Sequence, residues 1–257
     1  MAIKTNLKSM VPRRQAFKKL ITLPSHGFSN PIAWPDGQIY VYPWDSEVDE
    51  FLLAAARKSG PQQNVLFSLV ANLCDLNGGK LDEFVADEAN IILLVARSIV
   101  QEGTVEYVSI CPFCNTKSPE KIKVPDELEK VAEKPTDYPG FDVLTLPDCK
   151  DVLRVRPLLI KDERMILERP AEERKKISDT LLRSLMRMVT INDSTADNLA
   201  ELKTWFEALS PRDSRYLEDI LRELSPHLNT TLAHVCANPI CNREFKHLLS
   251  FDQDFFR

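Results

Sequence analysis

The segments Cys111-Pro112-Phe113-Cys114 and Cys236-Ala237-Asn238-Pro239-Ile240-Cys241 decide how this chain is organised. Each cysteine pair follows a run rich in β-branched and aromatic residues, which predicts a strand that leads into a tight turn. Two such turns can each direct two thiolates at one ion and so complete the tetrahedral four-sulfur shell that zinc prefers. We therefore predict one structural zinc ion with the ligands Cys111, Cys114, Cys236 and Cys241.

Other uses of the cysteines stay open at this point. A redox-active Cys-x-x-Cys pair normally lies at a helix N-terminus, but the residues after Cys114 do not favour a helix. The thiols could also be buried without metal or form a regulatory disulfide. His234, two residues before Cys236, is an alternative ligand, although a strand neighbour at this spacing is usually only packed. Cys74 and Cys149 are expected to be ordinary small side chains outside the site.

The composition argues against a membrane or secreted protein. The chain has 257 residues, 44% hydrophobic and 28% charged, which is typical of a soluble protein with one large or two ordinary domains. Its longest apolar run, residues 91–96, is far shorter than the roughly 20 residues of a membrane helix. The opening residues lack the apolar core of a signal peptide. We therefore expect a reducing cytoplasm, where paired cysteines bind metal more often than they form disulfides.

No catalytic constellation is apparent in the sequence. All seven glycines lie in the first 140 residues, and they form neither of the glycine-rich loops that bind nucleotide phosphates. The zinc-protease and serine-hydrolase signatures are also absent. A zinc ion held by four thiolates has no open position for water, so the predicted site is structural. We expect a protein that is not an enzyme.

The first twenty residues form a strongly basic segment. They carry six lysines and arginines and no acidic residue, so the remaining chain has a net charge of −11 within an overall charge of −5. Such a block is either a solvated tail or an arm that becomes ordered on an acidic partner. Nucleic acid is a weaker third option, because Phe17 is the only residue in this segment that could stack on a base.

Two parts of the chain share a pattern of elements. The strand Gln38–Tyr42 ends at Pro43, and the strand Val152–Arg156 ends at Pro157. Helices follow each proline, and each part then reaches a strand and a cysteine turn. We predict an α+β fold, mainly helical, with two similar strand–helices–strand halves joined through a zinc-ribbon-like pair of cysteine knuckles.

The predicted boundaries follow from shifts in composition along the chain. The helix that begins at Asp87 is apolar nearly all round and should lie at the centre of the first half. After Pro170, one long helix is expected to carry Ile177 to Val189 on a single face. The predicted parts are a basic arm (1–22), a first helical half (23–125), a linker (126–140), a second helical half (141–250) and an aromatic C-terminal tail (251–257).

Three short motifs resemble the N-terminal part of the proteins of a known phage family. They are the turn Leu23-Pro24-Ser25-His26-Gly27, the strand end Val41-Tyr42-Pro43-Trp44 and the acidic helix at residues 47–53. Together they resemble the baseplate hub assembly family of T-even-like contractile-tailed bacteriophages. The resemblance covers roughly residues 20–125 and the remainder in outline. It implies a virion or assembly protein that joins hub, tape-measure or wedge proteins at the tail tip, after assembly in the host cytoplasm.

This resemblance and the charge pattern together suggest how the protein would dock its partners. We expect other phage baseplate, hub or tape-measure proteins as partners, and no membrane, small-molecule substrate or nucleic acid. The expected partner-docking residues lie in the arm, the turn and the tail: Lys4, Lys8, Arg13, Arg14, Pro24, Ser25, Phe28, Phe255 and Phe256.

A zinc-ribbon nucleic-acid-binding or transcription accessory protein is the main alternative. Phe113, Lys117 and Arg243 lie close to the cysteines in sequence and favour this alternative, whereas the acidic body opposes it. A metalloenzyme is a third possibility.

Overall fold

The computed structural model describes residues 17–56, 62–124, 126–127, 132–133, 142–224, 227–228 and 231–248. These ranges contain both helices and strands, which confirms a mixed α+β fold. Within them the chain forms eight α-helices, four two-stranded sheets and one four-stranded sheet. None of the described helices combines the length and the apolar character that crossing a membrane would require.

Helices and a two-stranded sheet form the first core. Its elements in chain order are β1 (Lys19–Thr22), β2 (Gln38–Val41), α1 (Ser46–Ala56), α2 (Gln62–Leu73) and α3 (Glu88–Val100). Residues 91–96 of α3 are each exposed by 1% or less. This confirms that α3 lies at the centre of the first core, where burial of one large apolar side chain contributes about 1.5–3 kcal/mol.

A buried carboxylate fastens the turn that follows β1 to helix α3. Ser25 donates from its backbone N–H and from its hydroxyl to the two carboxylate oxygens of Glu88, at 2.7 and 2.9 Å. Gly27 has a φ of +68°, and a Cβ at this position would lie 2.1 Å from the carbonyl oxygen of Trp34. Only glycine therefore fits here, and the turn is a rigid part of the first core.

A β-hairpin follows α3 and carries the first cysteine pair. Strand β3 (Thr104–Ile110) is the strand that the sequence predicts before Cys111. Strand β4 (Lys117–Lys123) pairs with it along its whole length. Cys111 and Cys114 lie in the turn between the two strands.

The later part of the chain builds a second apolar cluster, although Ile160 and Leu167 of one of its helices pack with the first core. Its elements in chain order are β5 (Ala132–Glu133), β6 (Asp142–Thr145), β7 (Val152–Val155), α4 (Ile160–Leu167), α5 (Ala171–Arg174), α6 (Asp179–Leu185), β8 (Met188–Ile191), β9 (Ser194–Thr195), α7 (Leu199–Glu207), α8 (Pro211–Glu223) and β10 (His227–Leu228). Strands β6 to β9 form the four-stranded antiparallel sheet. Leucines from α6, α7 and α8 pack with this sheet in one apolar cluster.

The predicted long helix from Ile177 to Val189 is wrong. Helix α6 ends at Leu185, and Val189 lies in β8, which pairs with β7. The helical spacing of apolar residues continued past the true helix end, and pairing with a neighbouring strand outweighed the local periodicity.

A second hairpin completes the described chain. Strand β11 (Thr231–Val235) is the strand that the sequence predicts before Cys236, whereas β12 (Glu244–Leu248), which pairs with it after the second cysteine turn, was not predicted. The hairpin also contacts the first core, because Leu232 packs against it.

Two predicted boundaries differ from the structure. Residues 19–22 belong to β1 and not to a basic arm, because Leu20↔Tyr40 and Ile21↔Ile39 pair across the sheet. The predicted linker 126–140 contains β5, which pairs antiparallel with β10. Most of the arm and the whole C-terminal tail lie outside the described residues.

A buried ion pair anchors the start of α4. The side chain of Asp162 is 4% exposed and contacts both terminal nitrogens of Arg156, at 2.6 and 3.1 Å. The same carboxylate accepts the backbone N–H of Leu159 at 2.9 Å, and so caps the helix. One side chain thus joins the end of the β7 segment to the helix.

We expect Asp162→Ala to lower the free energy of unfolding by about 3–5 kcal/mol, because it leaves a largely buried guanidinium without its partner. Urea denaturation measures the loss. The matched control is Asp219→Ala, whose ion pair with Arg222 is solvent-exposed and should contribute about 1 kcal/mol or less. Equal losses in the two variants would contradict the structural role given to Asp162.

Candidate metal centre

The four predicted cysteine ligands lie together. The Sγ atoms of Cys111, Cys114, Cys236 and Cys241 are all within 4.8 Å of one another. Cys114 and Cys236 are 3.4 Å apart at sulfur, and Cys111 and Cys241 are 3.9 Å apart. A tetrahedral zinc ion with Zn–S bonds of about 2.3 Å requires sulfur–sulfur separations of about 3.8 Å, so the cluster has the size of such a site. These distances are too long for a disulfide, for which sulfur atoms lie about 2 Å apart.

The first cysteine turn is shaped by backbone hydrogen bonds. The N–H of Cys111 donates to the carbonyl of Thr116 at 3.0 Å, and the N–H of Asn115 donates back to the carbonyl of Cys111 at 2.9 Å. Asn115 has a φ of +58°, in the left-handed region that asparagine tolerates better than most residues. The turn therefore directs both thiols of Cys-x-x-Cys to one side.

The longer second turn reaches the same geometry through Asn238. Its carbonyl accepts the N–H groups of Cys241 and Asn242, at 3.0 and 2.9 Å, and its side-chain oxygen accepts the N–H of Ile240 at 3.0 Å. The N–H of Cys236 donates to the carbonyl of Arg243 at 2.9 Å and closes the hairpin. The two extra residues of Cys-x₄-Cys thus form a compact local turn.

The environments of the thiols differ. The Thr116 hydroxyl, 3.2 Å from Sγ of Cys114, and the Thr116 backbone lower the pKa of Cys114 to about 6. Burial instead raises the pKa of Cys236 to about 12. Metal binding requires the thiolate form, so an ion at this site must displace protons from the more buried thiols.

The remaining cysteines lie apart from the cluster, as the sequence predicts. Cys74 follows α2 in the first core, where its thiol is 3.1 Å from the Val70 carbonyl and burial raises its pKa. Cys149 is exposed in the loop between β6 and β7.

His234 is not among the residues that surround the candidate ion. Its Nε2 lies 3.3 Å from the Tyr107 hydroxyl, and its Nδ1 lies 3.7 Å from Glu120 on β4. The ring of His247 stacks on the ring of Tyr107, with centroids 5.9 Å apart. The facing sides of the two hairpins are therefore joined by aromatic and polar side chains as well as by the cysteines.

The sequence did not predict this contact between the two hairpins. The alternation in β3 and β11 places Tyr107 and His234 on the inner faces, but the partner residues are more than 100 positions away in the chain. Only the shared cysteine site could have indicated that these two faces meet.

The structure separates the predicted docking residues into groups. Pro24 and Ser25 are buried, since Ser25 is bound by Glu88, so their side chains are not available to a partner. Phe28 is half-buried, whereas Ile32 nearby is 93% exposed and was not predicted. The other predicted docking residues lie outside the described part of the chain: Lys4, Lys8, Arg13, Arg14, Phe255 and Phe256.

Comparisons of the chain with protein-family models, curated proteins and solved structures find no match. The functional argument therefore rests on the site itself. Four sulfur ligands occupy all the positions of a tetrahedral ion, so the arrangement can hold a metal and fix two hairpins, with no position left for a substrate.

Proposed function

We propose that this protein is a non-enzymatic structural or assembly component of a phage tail baseplate, with a body stapled by structural zinc. The observation that carries the structural part is the cluster of four cysteine sulfurs, two from each hairpin, within 4.8 Å of one another. A closed site of this kind contributes folding free energy and does not activate water.

Zinc is the metal favoured by the ligand chemistry. A tetrahedral set of four thiolates binds zinc or iron, and zinc is the commoner choice for a site that only supports a fold. All four proposed ligands lie in turns that directly connect two paired strands, as in zinc-ribbon proteins. The ion would connect a hairpin of the first half to a hairpin of the second.

The assignment to a baseplate is supported by the sequence resemblance in residues 20–125. We further propose that the two halves are related by an ancestral repeat, because β2 and β7 both end before a proline and are followed by helices and a cysteine hairpin. The second half differs by the β8–β9 hairpin, which interrupts its helices.

Partner docking is proposed for surfaces outside the rigid core. The basic arm carries four positive charges within residues 1–16, which suit an acidic surface of a neighbouring baseplate protein. The aromatic tail carries Phe255 and Phe256, residues of a type that anchors interfaces. Partner proteins, a virion location and the absence of catalysis all belong to this proposal.

The proposal is tested by removing the protein from an infecting contractile-tailed phage and by quantitative mass spectrometry of purified particles. We expect tails without complete baseplates in its absence, and rescue by the unaltered chain. Recovery of the protein in purified baseplates would indicate a structural component, and its absence there would indicate an assembly factor. Normal baseplates in phage that lack the protein would overturn the proposal.

A nucleic-acid-binding role remains the second candidate because of one contact at the cysteine hairpins. The Arg243 guanidinium lies 5.0 Å from the ring centre of Phe113, which is 54% exposed. An exposed aromatic residue beside a cation can receive a base. Binding to single- or double-stranded DNA or to RNA that weakens steeply with salt would favour this candidate, and no binding at low salt would exclude it.

A further inference from the structure

The outward face of the β3–β4 hairpin combines apolar and basic side chains with one acidic residue, Glu106, which forms a salt bridge with Lys121. Side chains alternate along a strand, so the buried Val105 and Ser109 define the inner face of β3 and leave Val108 and Ile110 on the outer face. Val108 is 53% exposed and Ile110 is 46% exposed. The exposed residues of β4 on this face are Lys117, Pro119, Lys121 and Lys123.

This outer face is poorly suited to a nucleic acid. The aromatic and imidazole rings Tyr107, His234, Phe245 and His247 contact one another between the hairpins and so belong to the inner faces. The outer face of β3 and β4 offers aliphatic side chains, whereas single-stranded nucleic acids bind mainly by stacking on aromatic rings. Its chemistry suits a chain segment with apolar and acidic residues.

The described chain ends beside this hairpin. His247, one residue before the last described position, stacks on Tyr107 in the middle of β3. The neighbours of Tyr107 in the strand, Glu106 and Val108, point to the outer face. His247 therefore lies on the inner side of the hairpin, and the exposed apolar side chains lie on the opposite side of the same strand.

The terminal segment, residues 249–257, has the complementary chemistry. It carries Phe251, Phe255 and Phe256 together with Asp252 and Asp254. Nine extended residues reach about 30 Å, which is more than the roughly 23 Å length of a seven-residue strand such as β3. The segment is thus long enough to pass the edge of the hairpin and lie along its outer face.

We propose that the terminal segment docks on the outer face of the β3–β4 hairpin of its own chain. Its phenylalanines cover Val108 and Ile110, and its aspartates lie near the lysines of β4. Covalent linkage favours this partner over a second copy, because a short tether gives an effective concentration in the millimolar range. The inference does not depend on the proposed function. Where the segment leaves to bind another protein, the apolar and basic face becomes available as a second docking surface.

Zero-length cross-linking with a carbodiimide tests the proposal on the full-length, metal-loaded protein. The reagent joins a carboxylate directly to a lysine that it contacts, and peptide mass spectrometry identifies the pair. We expect Asp252 or Asp254 to be joined to Lys117, Lys121 or Lys123. The pairs Lys121–Glu106 and Lys175–Glu172 already form salt bridges and serve as internal positive controls.

An equimolar mixture of normal and ¹⁵N-labelled protein distinguishes contacts within one chain from contacts between two. Cross-links within one isotopic chain support the proposal, and replacing all three phenylalanines of the segment by serine should lower their yield severalfold. Mixed-isotope cross-links would identify a second copy as the occupant and overturn it. If the control cross-links form but no cross-link joins the segment to β4, the proposal is also overturned. The lysines and Pro119 would then serve only to protect an edge strand from pairing with other chains.

Discussion

Replacing Cys114 by serine is expected to abolish tight metal binding and to lower the free energy of unfolding by several kcal/mol. A structural zinc ion contributes its binding free energy directly to folding, and a neutral hydroxyl is a poor substitute for one of four thiolates. The local core at the site is small, and among the described residues Cys111, Cys236 and Phe245 are the ones buried in it. Without an ion, little apolar burial remains at this end of the two hairpins.

The matched control for this prediction is Cys149→Ser. Cys149 is exposed and outside the cluster, so its replacement should leave metal content and stability unchanged. Calorimetric unfolding and metal analysis of both variants, purified without chelator, give the comparison. A Cys114→Ser protein that keeps one metal ion per chain and the stability of the unaltered protein would show that the proposed ligand set is wrong.

The second large effect is expected at Glu88, whose carboxylate is buried in the first core. Burial is the main cause that raises the pKa of Glu88 from 4.5 to about 7, although two hydrogen bonds from Ser25 act in the opposite direction. The folded protein therefore binds this proton more tightly than the unfolded chain does. The stabilising contribution is complete below pH 4.5 and is lost as the pH rises through 7, with a total change of about 3 kcal/mol.

Glu88→Gln should remove this dependence, because an amide has the same shape and stays neutral. Its oxygen can accept the Ser25 N–H, and its NH₂ group can donate to the Ser25 hydroxyl. We expect the variant to gain stability over the unaltered protein progressively between pH 5 and pH 8, in urea denaturation with saturating zinc. Comparing the two proteins at each pH cancels the pH dependence of metal binding.

The control for this experiment is Glu50→Gln, which changes an exposed carboxylate on α1. It should alter stability by a few tenths of a kcal/mol at every pH. The contrary result is that the free energies of unfolding of Glu88→Gln and of the unaltered protein differ by the same amount at pH 5 and at pH 8. That result would show that the buried carboxylate does not change its protonation in this range.

Local sequence signals predicted much of the fold. Ser210 accepts the N–H of Asp213 and precedes Pro211 at the first turn of α8, as the capping rule requires. Strand β3 leads into Cys111 as the sequence predicts, and the four cysteines that the spacing indicated lie together. The helix cap and the strand are determined by residues within a few positions of each other. The cysteine cluster is predictable because four thiolates can complete a metal site only if they lie together.

Features that depend on distant partners were not predicted. The bond between Ser25 and Glu88 spans 63 positions, and it turned an expected docking turn into a buried one. Val189 follows a helical pattern yet lies in β8, because its neighbouring strand is more than thirty residues away in the chain. Strand β12 is short, so its alternation of side chains is too brief to predict a strand by itself, and it is recognised only from its pairing with β11.

The most direct test of the central claim is X-ray absorption spectroscopy at the zinc edge, combined with metal analysis of the purified full-length protein. Our proposal predicts one zinc ion per chain with four sulfur ligands at about 2.3 Å, two from each hairpin. A shell that contains nitrogen or oxygen ligands, fewer than four sulfurs, or no stoichiometric metal would contradict the claim that zinc fastens the hairpins together.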